Sequence, residues 1–177
     1  MKIERVSPMA TRSTHRDVCV IDQALILQKA ADARSNARKR EIHAFQATET
    51  ETLQRMLNAL QPGTYIRPHL HPEKVESLVL IQGALGFMTF ADDGTVEDSR
   101  LVLLTHDNGN FGIDCRAGQW HTFVAMAPDT VVFEVKAGPF DPASDRTMAS
   151  WAPSENTPEG QRYLADLEAH FRRLFPR

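Results

Sequence analysis

Short apolar segments separated by turn-forming residues fill the middle of the chain. From about residue 52 onward, runs rich in Val, Leu, Ile and Phe alternate with Gly, Pro, Asp and Asn. This pattern predicts β-strands, because each run is long enough for a strand and too short for a helix. The predicted strands span residues 53–60, 64–70, 76–82, 84–90, 100–105, 111–115, 120–126 and 130–136.

Strands at such regular spacing, with no helices between them, indicate a sandwich or barrel rather than a parallel α/β sheet. Residues 91–94 (ADDG) predict a hairpin turn, and the Pro-containing pairs 62–63 and 128–129 predict further turns. The chain has no long internal repeat, so we expect one barrel, over residues 51–140.

Helices are predicted on both sides of the barrel. A short helix runs from Asp22, a suitable cap, to about residue 33. A second helix starts after Thr157, with Pro158 in its first turn. Its apolar stripe, which we expect to pack on the barrel, consists of Tyr163, Leu164, Leu167, Phe171 and Leu174.

The chain therefore divides into four predicted parts. Residues 1–16 are polar and irregular and are expected to form a flexible leader. Residues 17–50 provide the first helix and a basic linker that packs on the barrel. The barrel follows over 51–140, and residues 141–177 form an irregular tail and the C-terminal helix.

Composition adds few constraints on function. The 177 residues are 42% hydrophobic and 24% charged with a net charge of −3, which gives no reason to expect nucleic acid or a membrane as partner. No apolar run is long enough to span a bilayer, and the N-terminus lacks the apolar segment of a secretory signal. We expect a cytoplasmic protein, with Cys19 and Cys115 as reduced thiols.

Four residues are predicted to bind a metal. His69 and His71 are two apart in a predicted strand, so both imidazoles face the same side. Glu76 follows after a short turn, so its carboxylate can lie near the two imidazoles. His121, in a later strand, provides a third imidazole.

This set of nitrogen and oxygen donors contains no sulfur. It suits a divalent ion such as zinc, iron, manganese, nickel or copper. Four protein ligands leave positions open on an ion that accepts five or six, as a catalytic metal requires. The remaining histidines, which lack such neighbours and are expected to be structural or surface residues, are His15, His43, His106 and His170.

A spaced motif runs through the first ligand segment. It resembles the first motif of the cupin superfamily at every defined position: Gly63-x5-His69-x-His71-x4-Glu76-x6-Gly83. The resemblance implies a single cupin barrel, which is a double-stranded β-helix or jelly roll, with short helices at both ends. It also implies that the three histidines and the glutamate hold a divalent metal.

The second cupin motif is kept in part, at Gly118-x2-His121. Arg116, Asn110 and Ala125 stand where a proline, a glycine and an asparagine are usual, and these departures affect turns and packing rather than ligands. Over residues 22–165 the chain is similar to the WbuC family of cupin-fold metalloproteins, through QRMLNALQPGTYIRPHLHPEK, GQWHTFVA and FEVKAGPFDPASDRTMASWAPSE. Members of that family occur among genes for surface polysaccharide synthesis, and the resemblance implies no particular reaction.

Three further residues are candidates for catalysis. If the strand 64–70 is regular, Tyr65 and Arg67 share the face of the histidines. Tyr65 either donates a proton or packs, and Arg67 either binds an anion or forms an ion pair within the protein. Glu134 either lines the cavity together with Lys136 or pairs with it on the outside. Arg38, Arg40 and His43 precede the barrel and can fold over its mouth.

Three hypotheses about function remain open. The metal can act as a Lewis acid in an isomerase, epimerase or lyase acting on a small oxygen-rich anion, such as a sugar or sugar nucleotide. The pocket can instead be a non-catalytic module that binds a sugar or metabolite with the help of the metal. The same ligands can also hold iron(II) in a dioxygenase.

A homodimer is expected from the sheet edges that a β-sandwich leaves open. The N-terminal helix or the strand at 53–60 is the predicted contact.

Overall fold

The computed structural model describes residues 2–15 and 17–176. A 3-10 turn at Asp98–Arg100 precedes the eighth strand. The helices and strands are β1 (Lys2–Ser7), β2 (Ala10–Thr14), α1 (Gln23–Ser35), β3 (Arg40–Ala44), β4 (Leu53–Leu60), β5 (His69–Leu70), β6 (Glu76–Gln82), β7 (Ala84–Thr89), β8 (Leu101–Thr105), β9 (Gly112–Cys115), β10 (His121–Ala125), β11 (Thr130–Ala137), β12 (Thr147–Met148) and α2 (Pro158–Leu174).

The strands form two sheets that face each other. One sheet has the order β1-β2-β3-β4-β11-β6-β9, and the other has the order β12-β5-β10-β7-β8. All neighbouring strands are antiparallel except β2 and β3. The chain passes repeatedly from one sheet to the other, which is the double-stranded β-helix that the sequence predicts. The cupin fold class, with a helix on each side of the barrel, is therefore confirmed.

Alternation along the strands separates the barrel interior from the outer faces. On β7, Leu85 and Phe87 belong to the interior, whereas Met88 belongs to the cluster under α2. On β10, Phe123 points inward and Val124 outward. The interior cluster consists of Leu60, Ile66, Leu78, Leu80, Leu85, Phe87, Leu104, Cys115, Phe123, Ala125 and Val132.

The two helices cover the outer faces of the two sheets. Helix α1 packs against β3, β4 and β11 and begins as predicted, because the Asp22 side chain accepts a hydrogen bond from Leu25 N at 2.9 Å. Helix α2 begins at Thr157, whose Oγ1 accepts from Gly160 N at 3.0 Å. It buries Leu164, Leu167 and Phe171, and leaves Tyr163 and Leu174 partly exposed.

The prediction of a strand over residues 64–70 is wrong for most of that range. Only His69 and Leu70 pair in a sheet, and residues 64–68 run as irregular chain. Pro68 has no amide hydrogen to donate to a sheet, which disfavours a continuous strand through this position. The other predicted strands agree with the structure to within two residues at each end.

The expectation of an irregular leader and linker is also wrong in part. Within residues 2–14, β1 and β2 form a hairpin, and β2 pairs in parallel with β3, so that Ala10 lies opposite Ile42. Backbone hydrogen bonds to the edge of β3 make this segment ordered, although its polar side chains do not predict it. Arg40, assigned to the linker, is the first residue of β3.

Strand β4 cannot provide the predicted dimer contact through a free edge, because it lies between β3 and β11. The outermost strands of the two sheets are β1, β9, β12 and β8. Of the two helices in the described part of the chain, neither has the length and apolar character needed to cross a membrane.

Candidate metal centre

Three histidines converge at one end of the barrel interior. His69 on β5 lies directly opposite His121 on β10, so strand pairing brings the rings to a centroid distance of 4.6 Å. The His71 ring, just after β5, lies 5.2 Å from that of His69. One ring nitrogen from each histidine lies within 4.8 Å of the others, and all three side chains are buried.

Backbone carbonyls orient all three rings in the same way. The Nδ1 atom lies 3.0 Å from Arg67 O in His69, 2.5 Å from Asp145 O in His71 and 2.8 Å from Gln119 O in His121. An Nδ1–H that donates to a carbonyl leaves Nε2 with a free lone pair. Metal-binding histidines are held in this way, because the second nitrogen fixes the tautomer and the ring orientation.

Glu76, the first residue of β6, completes the predicted set. Its Oε2 lies 2.9 Å from His121 Nε2, and its Oε1 lies 3.9 Å from His71 Nε2. Nevertheless, Glu76 Oε2 and His121 Nε2 are both buried without a hydrogen-bond partner. Two buried atoms this close need a proton or a metal cation that binds both, and a divalent metal would suit this set of donors.

Burial and mutual contacts shift the pKa values of the candidate ligands. Burial lowers the pKa of His69 to about 3, with the nearby charges of His121 and Arg146 adding to the effect. Burial also opposes charge on His121, but its contacts with Cys115 and Glu76 raise its pKa to about 10. Burial would raise the pKa of Glu76, yet its contacts with His121 and Glu134 lower it. Without an ion, a proton on His121 therefore balances the Glu76 carboxylate, and a bound cation would take the place of that proton.

Glu134 and Lys136 line the cavity together, which is one of the two arrangements that the sequence allowed. Asn58 Nδ2 donates a hydrogen bond to Glu134 Oε2. Burial, and next the negative charge of Glu76, raise the pKa of the Glu134 carboxyl. A protonated Glu134 therefore lies beside an ionised Glu76.

Asp145 is a functional neighbour that the sequence analysis missed. Its backbone oxygen accepts from His71, and its carboxylate accepts from Lys136 at 2.6 Å and Lys74 at 2.8 Å. It lies in the irregular segment between β11 and β12, where no periodic pattern marks a buried residue. The sequence offered one indication of its role: Asp145 is an acidic residue within the segment that the sequence analysis compared with the WbuC family.

Tyr65 and Arg67 lie away from the cavity. The Tyr65 hydroxyl donates to Pro153 O at 2.9 Å, and the ring packs in the cluster under α2, which is the packing alternative. The Arg67 guanidinium donates to Ala149 O through Nε at 3.1 Å and through a terminal nitrogen at 2.6 Å. The prediction placed both side chains beside the histidines because alternate residues of a strand face the same side. That alternation does not apply here, because residues 64–68 are not a strand.

Two other side chains take definite positions relative to the site. Cys115 Sγ lies 3.8 Å from His121 Nδ1, on the ring edge opposite the nitrogen that faces Glu76. His43 is fully buried on the outer face of its sheet, between Thr11 Oγ1 at 2.8 Å and Ser13 Oγ at 2.7 Å. It therefore does not reach the mouth of the barrel.

The histidine cluster opens into a cavity of about 430 Å³. His69, His71, Glu76 and Glu134 line its buried part. Arg38 and Arg40 from the basic segment line it as well, as the sequence allowed, together with Arg146. The cavity is large enough for a small metabolite, and its buried part combines metal ligands with a carboxyl group.

Comparisons with known proteins give one family match and several remote structural likenesses. A family model described as Domain of unknown function (DUF6016) matches residues 21–102, less than half of the chain, and includes His69, His71 and Glu76 but not His121. No curated protein matches the chain. The narrower likeness to the WbuC family therefore remains a prediction.

Three solved structures illustrate the structural likeness. An uncharacterized conserved protein with a double-stranded β-helix domain from Klebsiella pneumoniae is 17% identical, with a TM-score of 0.45, and the match covers 60% of this chain and 75% of that one. KdgF from Halomonas sp. is 17% identical with a TM-score of 0.45, covering 59% and 82%. CapF from Staphylococcus aureus, a capsular polysaccharide assembling protein, is 19% identical with a TM-score of 0.48, covering 60% of this chain and only 28% of its own. These likenesses are too remote to transfer an activity.

Proposed function

We propose that the protein is a metal-dependent enzyme that acts on a small oxygen-rich anion such as a sugar or sugar nucleotide, by isomerase, epimerase or lyase chemistry. The ligands are His69, His71, Glu76 and His121. The observation that carries the proposal is the pair of buried, unpartnered atoms, His121 Nε2 and Glu76 Oε2, of which Glu76 lines a cavity that is also lined by Glu134.

The cavity supports catalysis rather than a purely structural metal. Three backbone carbonyls orient the imidazoles, and His69, His71 and Glu76 line the cavity, so an ion held by these residues would be accessible to a ligand in the cavity. A divalent metal at this position supplies a Lewis acid that polarises a substrate oxygen.

Glu134 is the residue best placed to move a proton. Its carboxyl is 5% exposed, faces the cavity and is fixed by the Asn58 amide. An oxygen of Glu134 can exchange a proton with a substrate carbon or hydroxyl that binds beside the metal. Tyr65 and Arg67 contact backbone carbonyls outside the cavity, so we assign them to holding the segment before His69.

Metal analysis and solvent exchange test the proposal together. Protein purified without chelators is expected to contain about one divalent metal per chain. Incubated with a panel of aldoses, ketoses, sugar acids and nucleotide sugars in deuterium oxide, it is expected to incorporate deuterium next to a carbonyl of its substrate. Glu134→Gln, which keeps the shape of the side chain, should retain the metal and lose the exchange by a factor of about 100 or more.

Two results would contradict the proposal. A chain without stoichiometric metal that does not take up zinc, iron, manganese or nickel would exclude the metal. Retention of turnover by Glu134→Gln, at normal metal content, would exclude the proton-transfer role. A protein that turns over its substrate only with iron(II) and consumes oxygen would instead be a dioxygenase.

We also propose that the protein acts in surface polysaccharide metabolism.

We propose, in addition, that the protein forms a homodimer. The dimer proposal rests on the outer strands β1 and β9 of the larger sheet, which have one neighbour each. Light scattering at micromolar concentration should give twice the mass of one chain, 19.9 kDa. A mass equal to one chain would contradict it.

A further inference from the structure

A cluster of arginines lies at the open end of the cavity, nearer the solvent than the metal ligands. The side chain of Arg38 is 31% exposed and that of Arg40 is 10% exposed, whereas the side chains of His71 and Glu76 are 3% and 4% exposed. Arg146, in the segment before β12, is exposed and lines the same cavity. The arginines therefore lie closer to solvent along this cavity than the histidines do.

The three guanidinium groups are close enough to repel one another. Burial, and then the charges of Arg38 and Arg146, lower the pKa of Arg40 to about 10. Burial lowers the pKa of Arg146, the adjacent Asp145 raises it, and the charge of Arg38 lowers it. A cleft lined by several charges of one sign attracts ligands of the opposite sign.

The negative charges of the protein do not neutralise this cluster. Arg38 and Arg40 share a single carboxylate, that of Glu155. Arg146 makes no hydrogen bond or ion pair among residues 2–15 and 17–176. The adjacent carboxylate of Asp145 already accepts from Lys136 and Lys74.

We infer that Arg38, Arg40 and Arg146 bind a phosphate group of the ligand at the mouth of the cavity, while another part of the same ligand reaches the metal. The inference deepens the proposed function, on which it rests for the role of the metal end. Arginine groups from two separate chain segments surround one space, and each guanidinium presents its donors in a fixed fork. A phosphate offers three oxygens and up to two negative charges to such a set, whereas a flat carboxylate offers two oxygens and one charge.

The ligand class that follows is a phosphorylated sugar or a nucleotide sugar. Its phosphate binds at the mouth, and its sugar oxygens extend toward His69, His71 and Glu76. A neutral sugar would offer Arg146 no negative charge with which to pair. Arg146 is then a residue that determines specificity.

Equilibrium binding of inorganic phosphate to the protein as purified tests the inference. Calorimetry is performed at constant ionic strength, with chloride as the balancing salt. We expect one phosphate per chain, and at least a tenfold loss of affinity in Arg146→Gln, because charge-assisted hydrogen bonds are lost. Arg146→Lys, which keeps the charge without the fork, should give an intermediate affinity.

Two matched variants control for general charge effects. Arg162→Gln removes an exposed arginine on α2, paired only with Glu159 in its own helix, and should leave phosphate affinity unchanged. Glu155→Gln removes the carboxylate that competes for Arg38 and Arg40, and should increase the affinity several-fold. Opposite effects at Arg146 and Glu155 are not expected from misfolding, and thermal unfolding confirms that each variant is folded.

A chelator-treated sample separates this inference from the proposed function. If the arginines bind phosphate, affinity persists after the metal is removed and still depends on Arg146. Phosphate binding that disappears with the metal and is the same in Arg146→Gln as in the wild type would overturn the inference. Equally tight binding of acetate would also overturn the assignment to phosphate. If the proposed metal site proved wrong, the arginines would still be expected to bind phosphate.

Discussion

His121 Nε2 and Glu76 Oε2 are buried and lie 2.9 Å apart without forming a hydrogen bond. When His121 Nδ1 donates to Gln119 O, its Nε2 presents a lone pair to the Glu76 carboxylate. Such a pair is unfavourable in an apolar surrounding unless a proton or a metal cation binds both atoms. This short distance means that the predicted ligands already lie close together without a bound ion.

Metal removal is therefore expected to destabilise the protein. Chelation should lower the unfolding free energy by about 2.7 kcal/mol relative to protein with free metal at 100 times its dissociation constant. His121→Ala should lose the bound metal, and added metal should no longer raise its melting temperature. His106→Ala, at an exposed histidine, is the control and should behave as the wild type. A metal-dependent melting temperature in His121→Ala would contradict the ligand assignment.

Asp145→Asn tests the buried ion pairs behind the metal site. The substitution leaves Lys136 and Lys74 without their carboxylate, and Lys136 is only 7% exposed. We expect a loss of about 3 kcal/mol in unfolding free energy, measured by urea denaturation. The same change at Asp98, an exposed partner of His170 and Arg173, should cost less than about 1 kcal/mol.

Metal content adds a second measurement on Asp145→Asn. Asp145 contacts His71 through its backbone oxygen, which the substitution retains. The variant should therefore bind metal with the wild-type stoichiometry. Equal stability losses at Asp145 and Asp98 would show that the buried pairs contribute no more than surface ones.

His43 is expected to make stability depend on pH in the acid range. Burial, and then the charge of Lys29, lower its pKa in the folded chain to about 4, from about 6.5 in the unfolded chain. Between these values the unfolded chain binds the extra proton, so stability is full above pH 6.5 and falls as the pH drops toward 4. The contribution amounts to about 3 kcal/mol, at about 1.4 kcal/mol per pKa unit.

Urea denaturation at pH 7 and pH 4.5 measures this effect. From pH 7 to pH 4.5, the wild type should lose about 2 to 3 kcal/mol more than His43→Gln, which has no titrating group. His106→Gln should keep the wild-type loss, because that side chain is exposed. An identical pH dependence in the wild type and His43→Gln would refute the prediction.

Phe171→Ala tests how strongly α2 is attached to the barrel. Phe171 is 1% exposed and packs on the outside of the smaller sheet, where its ring lies against Gly86. A cavity of this size should cost about 3 to 5 kcal/mol of unfolding free energy. Phe111→Ala, at a phenylalanine that is 53% exposed, should cost less than about 1 kcal/mol. Similar losses in both variants would indicate that α2 contributes little.

Much of the barrel was predictable, because local patterns determine it. Strands such as β4 and β6 have the expected bounds, since short apolar runs end at turn residues that cannot continue a sheet. Both helix caps were predictable from Asp22 and Thr157, whose side chains bond to backbone atoms three residues away. Each of these features depends on neighbours in sequence.

Other features depend on contacts between distant segments. Strand β2 pairs with β3 across the intervening helix, β1 pairs with β2, and Asp145 becomes important because its segment returns to His71. Tyr65 and Arg67 leave the site because Pro68 interrupts the strand whose parity would have placed them there.

The sequence by itself determined the strand pattern, the helices and the identity of the four candidate ligands, since spacing and residue chemistry are local properties. Only the tertiary structure decided that His121 faces His69, that Glu134 rather than Tyr65 lines the cavity, and that Arg146 joins Arg38 at its mouth. These relationships connect residues far apart in the chain, so they follow from sheet register and loop return rather than from any periodicity.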